Sequence, residues 1–204
     1  MVVNQSKTVV LDTNNEASVN AAAASVDERF PEGIDVLINM AGVMDNKIAP
    51  ALETEASDYL HVLKVNTVGP FLVTQAFYPL LKKRGTRTVV NVSSGLASIS
   101  FARSGGSPLT GKILSYTSSK AALNMQTAVL AGALKDEGFI VVCTCPGWVA
   151  TDMGSRSDTK QVMGSAPELT VEQSTERHLA LVAKLTKDDN GKYISASEGK
   201  EFPY

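Results

Sequence analysis

The chain has 204 residues, a formal net charge of -2 at pH 7, 44% hydrophobic and 20% charged residues. That composition suits a single globular domain with a buried core and supplies no basic stripe of the kind that follows a nucleic-acid backbone. The first ten residues lack a basic start followed by an apolar core, and no apolar run reaches the ~20 residues that a bilayer requires, so the expected location is the cytoplasm with no membrane partner.

In chain order, Val9 to Leu11 reads as a short strand, Ala17 to Arg29 as a helix closed by Pro31 to Gly33, and Val36 to Ile38 as a second strand. Glu53 to Lys83 follows as a long helical stretch ended by Gly85, then the strand Thr88 to Val92, the helix Ser118 to Glu137 and the strand Phe139 to Thr144. The strands are short and rich in β-branched residues, as buried parallel strands are, and the helices carry Ala, Leu, Lys and Glu at helical spacing. Alternation without a repeat or a linker predicts one α/β domain over residues 1–204, built on a doubly wound parallel sheet in three layers. In such sheets the working groups lie where strand ends open into a crevice.

Three stretches put chemistry at such ends. In SYTSSKAAL, Tyr116 and Lys120 stand four apart at a helix start and share a face. A phenol has a reference pKa near ~10 and a neighbouring ammonium favours its phenolate, so the pair can donate and accept a proton; an exposed helix carries such a pair equally well. The strand Thr88 to Val92 runs into Ser93 and Ser94, where a hydroxyl can hold a substrate oxygen or simply form a turn. After the next strand comes CPGWVATDMG, with Val149 and with Thr151 near a possible helix start, a position that suits an N-cap as well as a ligand contact. Cys143 and Cys145, the only cysteines, fall on one face of a strand and read as buried thiols, not as a metal or redox pair. No metal site is expected. His61 and His178 sit in polar helical contexts and read as solvated.

Together these stretches, in this order and spacing, resemble the short-chain dehydrogenase/reductase family, with INMAG at Ile38 to Gly42 and KVNTVGPF at Lys64 to Phe71 as further matches. LTVEQS at Leu169 to Ser174 and the ending LTKDDNGKYIS with EFPY are similar to the carbonyl reductases of the sniffer and C-factor type. The resemblance implies a Rossmann-type fold and an NADP-dependent oxidoreductase, with NAD as an alternative, acting on a small carbonyl or alcohol; it leaves a homo-oligomer open. It implies Tyr116 as general acid/base, Lys120 lowering its pKa and binding the nicotinamide ribose, Ser94 orienting the carbonyl and Asn66 completing a proton relay. It assigns Asp12 to the adenine, Asn39, Ala41 and Gly42 to the adenosine side, and Val149 with Thr151 to the carboxamide. Met40 departs from the family's second asparagine. Pro70 has no N–H to give the carbonyl of Asn66, so a kink with a free acceptor is expected there, fit for the relay or for packing alone.

Ser98 to Leu114, with Gly105, Gly106, Pro108 and Gly111, reads as an extra surface loop beside the site. Trp148, Met153 and Ser155 to Met163 are expected to close the entrance from the other side, with Trp148 equally suited to packing.

The family's opening strand with a glycine-rich phosphate loop has no counterpart here; the sequence begins just before what resembles the third strand. An incomplete sequence, a natural truncation and a cofactor-free fold acting as an isomerase or binding module all remain open. Without the first two strands, Val9 to Leu11 loses its neighbours, and it is expected to pair in parallel with Val36 to Ile38, bringing Asp12 close to Asn39.

Overall fold

The computed structural model describes residues 7–204. Helix α1 (Glu16–Arg29) starts where the Asn15 side chain accepts the Ser18 N–H at 3.2 Å, which satisfies one of the donors a helix start leaves open. Gly33 then turns the chain into strand β1 (Val36–Asn39) at φ +91°, with the Leu80 carbonyl 2.3 Å from where a Cβ would stand. Only glycine fits such a position.

Helices α2 (Ala56–Leu63) and α3 (Gly69–Lys82) are joined by a π-helical turn, Lys64–Val68. Pro70 cannot donate to the Asn66 carbonyl, so the regular ladder cannot run through; the Gly69 N–H reaches back five residues to the Lys64 carbonyl instead. Strand β2 (Thr88–Val92) follows, then the short helix α4 (Ile99–Arg103), helix α5 (Leu114–Ala133) and strand β3 (Ile140–Cys145). Helices α6 (Ser157–Met163) and α7 (Val171–Val182), then strands β4 (Tyr193–Ser195) and β5 (Lys200–Glu201), complete the order.

The sheet runs β1-β2-β3-β4-β5, parallel through β4 and antiparallel at β5. Alternation along the strands sorts its faces. Leu37, Val89 and Val141 meet Leu81, Phe139 and Ala131 beneath α3 and α5, and α1 packs on α3 through Val19, Ala23, Val73 and Phe77. Val36, Ile38, Val90, Ile140 and Val142 turn the other way, against Val182 and Leu185. These are the three layers of a doubly wound α/β fold. No helix among the described residues is long and apolar enough to cross a membrane.

Several expectations need correction. Val9 to Leu11 is not a strand and does not pair with β1, whose neighbour among the described residues is β2. Residues 7–14 instead lie along the helices. Leu11 joins the α1–α3 cluster, Thr13 packs on Gly69, and the Thr8 carbonyl accepts from Arg29, while Val10 faces solvent. Leu11 buries its side chain between the two helices, a contact that an edge pairing with β1 would remove. The stretch Glu53 to Lys83 is not one regular helix, because Pro70 forces the π turn. Helix α5 starts four residues earlier than the apolar pattern indicates and ends four residues earlier, at a 3-10 turn. His178 is buried, not solvated: it faces the sheet from α7 and bonds Thr144 Oγ1 through Nε2 at 2.8 Å, and burial lowers its pKa.

Candidate active site

The carboxyl ends of β1, β2 and β3 and the first turns of α5 come together in one cluster of side chains. Its floor is a polar ladder across the sheet. Asn39, Asn91 and Cys143 are register partners on the α5 face. Asn39 Nδ2 donates to Asn91 Oδ1 at 2.8 Å and to Thr74 Oγ1 at 3.0 Å, Asn91 Nδ2 donates to Thr127 Oγ1 at 2.8 Å, and the Cys143 thiol donates to the same oxygen. These groups are buried and paired, as buried polar atoms must be. Cys143 and Cys145 are both free thiols, and burial pushes the Cys143 thiol up to about 12.

Above that floor, Asn66 in the π turn holds the loop after β1. Its Oδ1 accepts the Val43 N–H and its Nδ2 donates to the Val43 carbonyl, each at 2.8 Å, with a further bond to Ser119 Oγ at 2.9 Å. Gly42 lies in the same knot: a Cβ there would stand 3.3 Å from both Asn66 Oδ1 and Lys120 Nζ. Its lack of a side chain lets the loop, the π turn and α5 meet.

Lys120 is buried, with its Nζ donating to the Val92 carbonyl at 2.8 Å and, among the described residues, no carboxylate in an ion pair with it. Burial lowers its pKa from 10.5 to about 8. The ammonium stands 5.9 Å from the centre of the Tyr116 ring. Desolvation pushes the half-buried Tyr116 phenol up to about 12, and the Ser94 hydroxyl beside it acts in the opposite direction. Ser94 is fixed in turn, because its carbonyl accepts from the Tyr193 hydroxyl and its Oγ accepts the Leu96 N–H at 3.3 Å.

Of the residues singled out from sequence, Ser94, Tyr116, Lys120, Asn66, Asn39 and Gly42 are thus brought together, with Ala41 on the exposed lip between the last two. Val149 and Thr151 follow β3 on the next strand end: Val149 forms a lone bridge with Leu169, and Thr151 Oγ1 accepts the Gly154 N–H at 3.2 Å. Trp148 donates from its indole to the Gly154 carbonyl at 3.0 Å, a packing role within that loop. Asp12 is held by local bonds, next to Thr13, which packs on Gly69 beside the π turn. It is exposed before α1, its N–H bonded to Ser18 Oγ and its carboxylate accepting the Asn14 N–H. Among the described residues no group of three His, Cys, Asp or Glu side chains could hold a metal ion.

Sequence reasoning missed Asp45, Asn91, Tyr193 and Arg156, each of which holds one of these parts. Asp45 alone had a signal. Ile113, the residue at the N-cap of α5, has no side chain that can cap, so the helix start needed an acceptor from elsewhere.

The short chain dehydrogenase family matches residues 3–162. The short-chain dehydrogenase anuI of Penicillium roqueforti is 36% identical over 187 residues, which are 89% of this chain and 73% of that protein. C-signal of Myxococcus xanthus is 32% identical over 171 residues, 84% of this chain and 93% of that one. Among solved structures, the NADPH-bound carbonyl reductase from chicken fatty liver is 34% identical with a TM-score of 0.82, over 96% of this chain and 76% of that one. The carbonyl reductase Sniffer of D. melanogaster is 29% identical at the same TM-score, over 95% and 76% of the two chains.

Proposed function

The chain belongs to the short-chain dehydrogenases, a family of oxidoreductases, and from that premise we propose that it reduces a small ketone or aldehyde, or oxidises the matching alcohol, with NADP as the preferred nicotinamide. The observation that carries the reading is Lys120. A buried ammonium with no carboxylate partner, next to a phenol and a serine hydroxyl at a strand end, costs stability that a binding role for a polyol or an oxyanion explains.

The donor set fits the nicotinamide and ribose half of the cofactor. Lys120 offers spare N–H donors, and Gly42 and Ala41 leave open backbone at the lip. Among the described residues nothing resembles a glycine-rich loop for a pyrophosphate. When bound, the cofactor supplies the hydride. The protein's own residues supply the proton: Ser94 Oγ holds the carbonyl oxygen, and Tyr116 donates its phenolic proton to that oxygen as charge develops there. The resulting phenolate is stabilised by the Lys120 ammonium, which is mostly protonated below about pH 8. The phenolate regains its proton from solvent, and the Asn66 carbonyl, which Pro70 leaves without its usual helical donor, is the acceptor that would hold a relay water on that path. Reduction is therefore expected to fall as pH rises through about 8.

The test is turnover of a panel of ketones and aldehydes with NADPH and with NADH by the purified chain. Tyr116→Phe removes the proton donor and little volume, and is expected to lower kcat about 10²- to 10⁴-fold with the fold intact. Undiminished turnover in that variant refutes the assignment. A second reading is a fold of this family that binds a small molecule without a nicotinamide. A thermal shift with NADPH separates the two, since a ligand held only by the native state raises Tm.

A further inference from the structure

The loop after β1 carries a carboxylate that neither the sheet nor the proton chemistry above uses. Asp45 is 2% exposed, a position charged side chains reach only when their oxygens are bonded. Its Oδ1 accepts the Ser115 N–H at 3.2 Å and its Oδ2 accepts the Tyr116 N–H at 2.8 Å. These are donors of the first turn of α5, which its own cap residue, Ile113, leaves unserved. The charge also faces the positive end of a 20-residue helix.

The loop that carries Asp45 is itself fixed from three sides. Val43 is held by Asn66, and Asn46 by Asp58 of α2 through bonds of 3.2 and 2.7 Å. Arg156 donates to the Asp45 carbonyl at 2.7 Å and to the Asn46 carbonyl at 3.0 Å, while its ion pair with Asp158 fixes the guanidinium at the start of α6. A rigid loop thus presses a bidentate acceptor on the backbone N–H of the residue whose phenol faces Ser94.

We propose that Asp45 is the positioning residue for Tyr116, holding the first turn of α5 so that the phenol stays enclosed against Ser94. It touches neither substrate nor cofactor, and it acts through the backbone of residues 115 and 116. Its catalytic consequence rests on the carbonyl-reductase reading given above; its effect on the tyrosine does not. Without the carboxylate the first turn loses two bonds and frays, and water reaches the phenol. Tyr116 then titrates nearer its ordinary range, and its amide exchanges.

The experiment uses the whole chain labelled with 3-fluorotyrosine, the Tyr116 resonance being assigned by its loss in Tyr116→Phe. In Asp45→Ala the Tyr116 midpoint is expected to fall by about one pH unit relative to wild type, with the amides of Ser115 and Tyr116 exchanging ~10-fold faster or more. Asp45→Asn keeps one acceptor and should fall between; it also serves if the alanine variant does not fold. If wild type reduces carbonyls, kcat should drop ~10-fold or more in Asp45→Ala with the carbonyl KM changed less than about threefold. If wild type shows no turnover, the functional reading fails while the fluorine titration still judges Asp45. An unchanged Tyr116 midpoint in folded variants, with only urea stability lowered, reduces Asp45 to a plain helix cap and overturns the proposal.

Discussion

Replacing Lys120 with methionine should change how stability depends on pH more than stability itself. The ammonium is 4% exposed and its pKa falls from 10.5 to about 8 through burial. Below about pH 8 the lysine is protonated in both folded and unfolded chains, and contributes no slope. Between about pH 8 and 10.5 the unfolded chain holds one proton more than the folded chain, so this group makes stability rise with pH. Integrated from about pH 7.5 to about pH 9.5, the gain is about 2 kcal/mol. Wild type alone will not show it cleanly. Cys143 and Cys145 have raised pKa values, so above about pH 9 the unfolded chain loses thiol protons that the folded chain keeps, and stability falls. Tyr116 adds to that fall above about pH 10. The measurement is therefore urea unfolding of wild type and Lys120→Met at several pH values, and the readout is their difference. At low pH the variant, which has no charge to bury, should compare most favourably. That relative advantage should shrink by about 2 kcal/mol as pH rises to about 9.5. A difference constant to within about 0.5 kcal/mol over that range would refute the buried, unpaired ammonium on which the functional reading rests.

Two further substitutions test the frame that holds the site. Gly33→Ala forces a positive φ on a residue with a Cβ and drives that Cβ into the Leu80 carbonyl, so urea unfolding should show a loss of about 3 kcal/mol or more; a loss below about 1 kcal/mol would mean the turn relaxes freely. Asn91→Ala breaks its bonds to Asn39 and Thr127 and opens a small void, for a loss of about 3 kcal/mol, and combining it with Asn39→Ala should cost about 1 kcal/mol less than the two single losses together; strict additivity in that double-mutant cycle would argue against a shared ladder.

Much of this arrangement was legible in the sequence because local pattern and tertiary role agree there. Thr88 to Val92 is β-branched at every position but Asn91 and buried between two parallel neighbours, and its boundaries match the strand. Tyr116 and Lys120 fall on one helix whose spacing alone fixes their shared face. Pro70 announces a break, though not that the break takes the form of a π turn. What stayed hidden depends on partners remote in sequence. His178 looks solvated among Glu176, Arg177 and Leu179, yet α7 turns that one position to Thr144 on β3. Val9 to Leu11 has the composition of a strand, but its Leu11 packs against the α1–α3 cluster while Val10 faces solvent. Asp45 meets residues about seventy positions away, and neither composition nor periodicity carries that information.

The parallel sheet also sets how the chain must fold. Val36 pairs with Thr88, Thr88 with Ile140, and Cys143 with Tyr193, so each pairing in the parallel part closes a loop of about fifty residues. The closure costs are nearly equal, and no parallel strand pair is favoured by being local. Apart from the short β4–β5 hairpin, local order comes from the helices, which cannot hold their apolar faces without the sheet. Refolding is therefore expected in the millisecond-to-second range of non-local topologies, with β2 and β3, the central pair, as the place where structure first becomes stable. The residues at the strand ends acquire their geometry only when that pairing is complete.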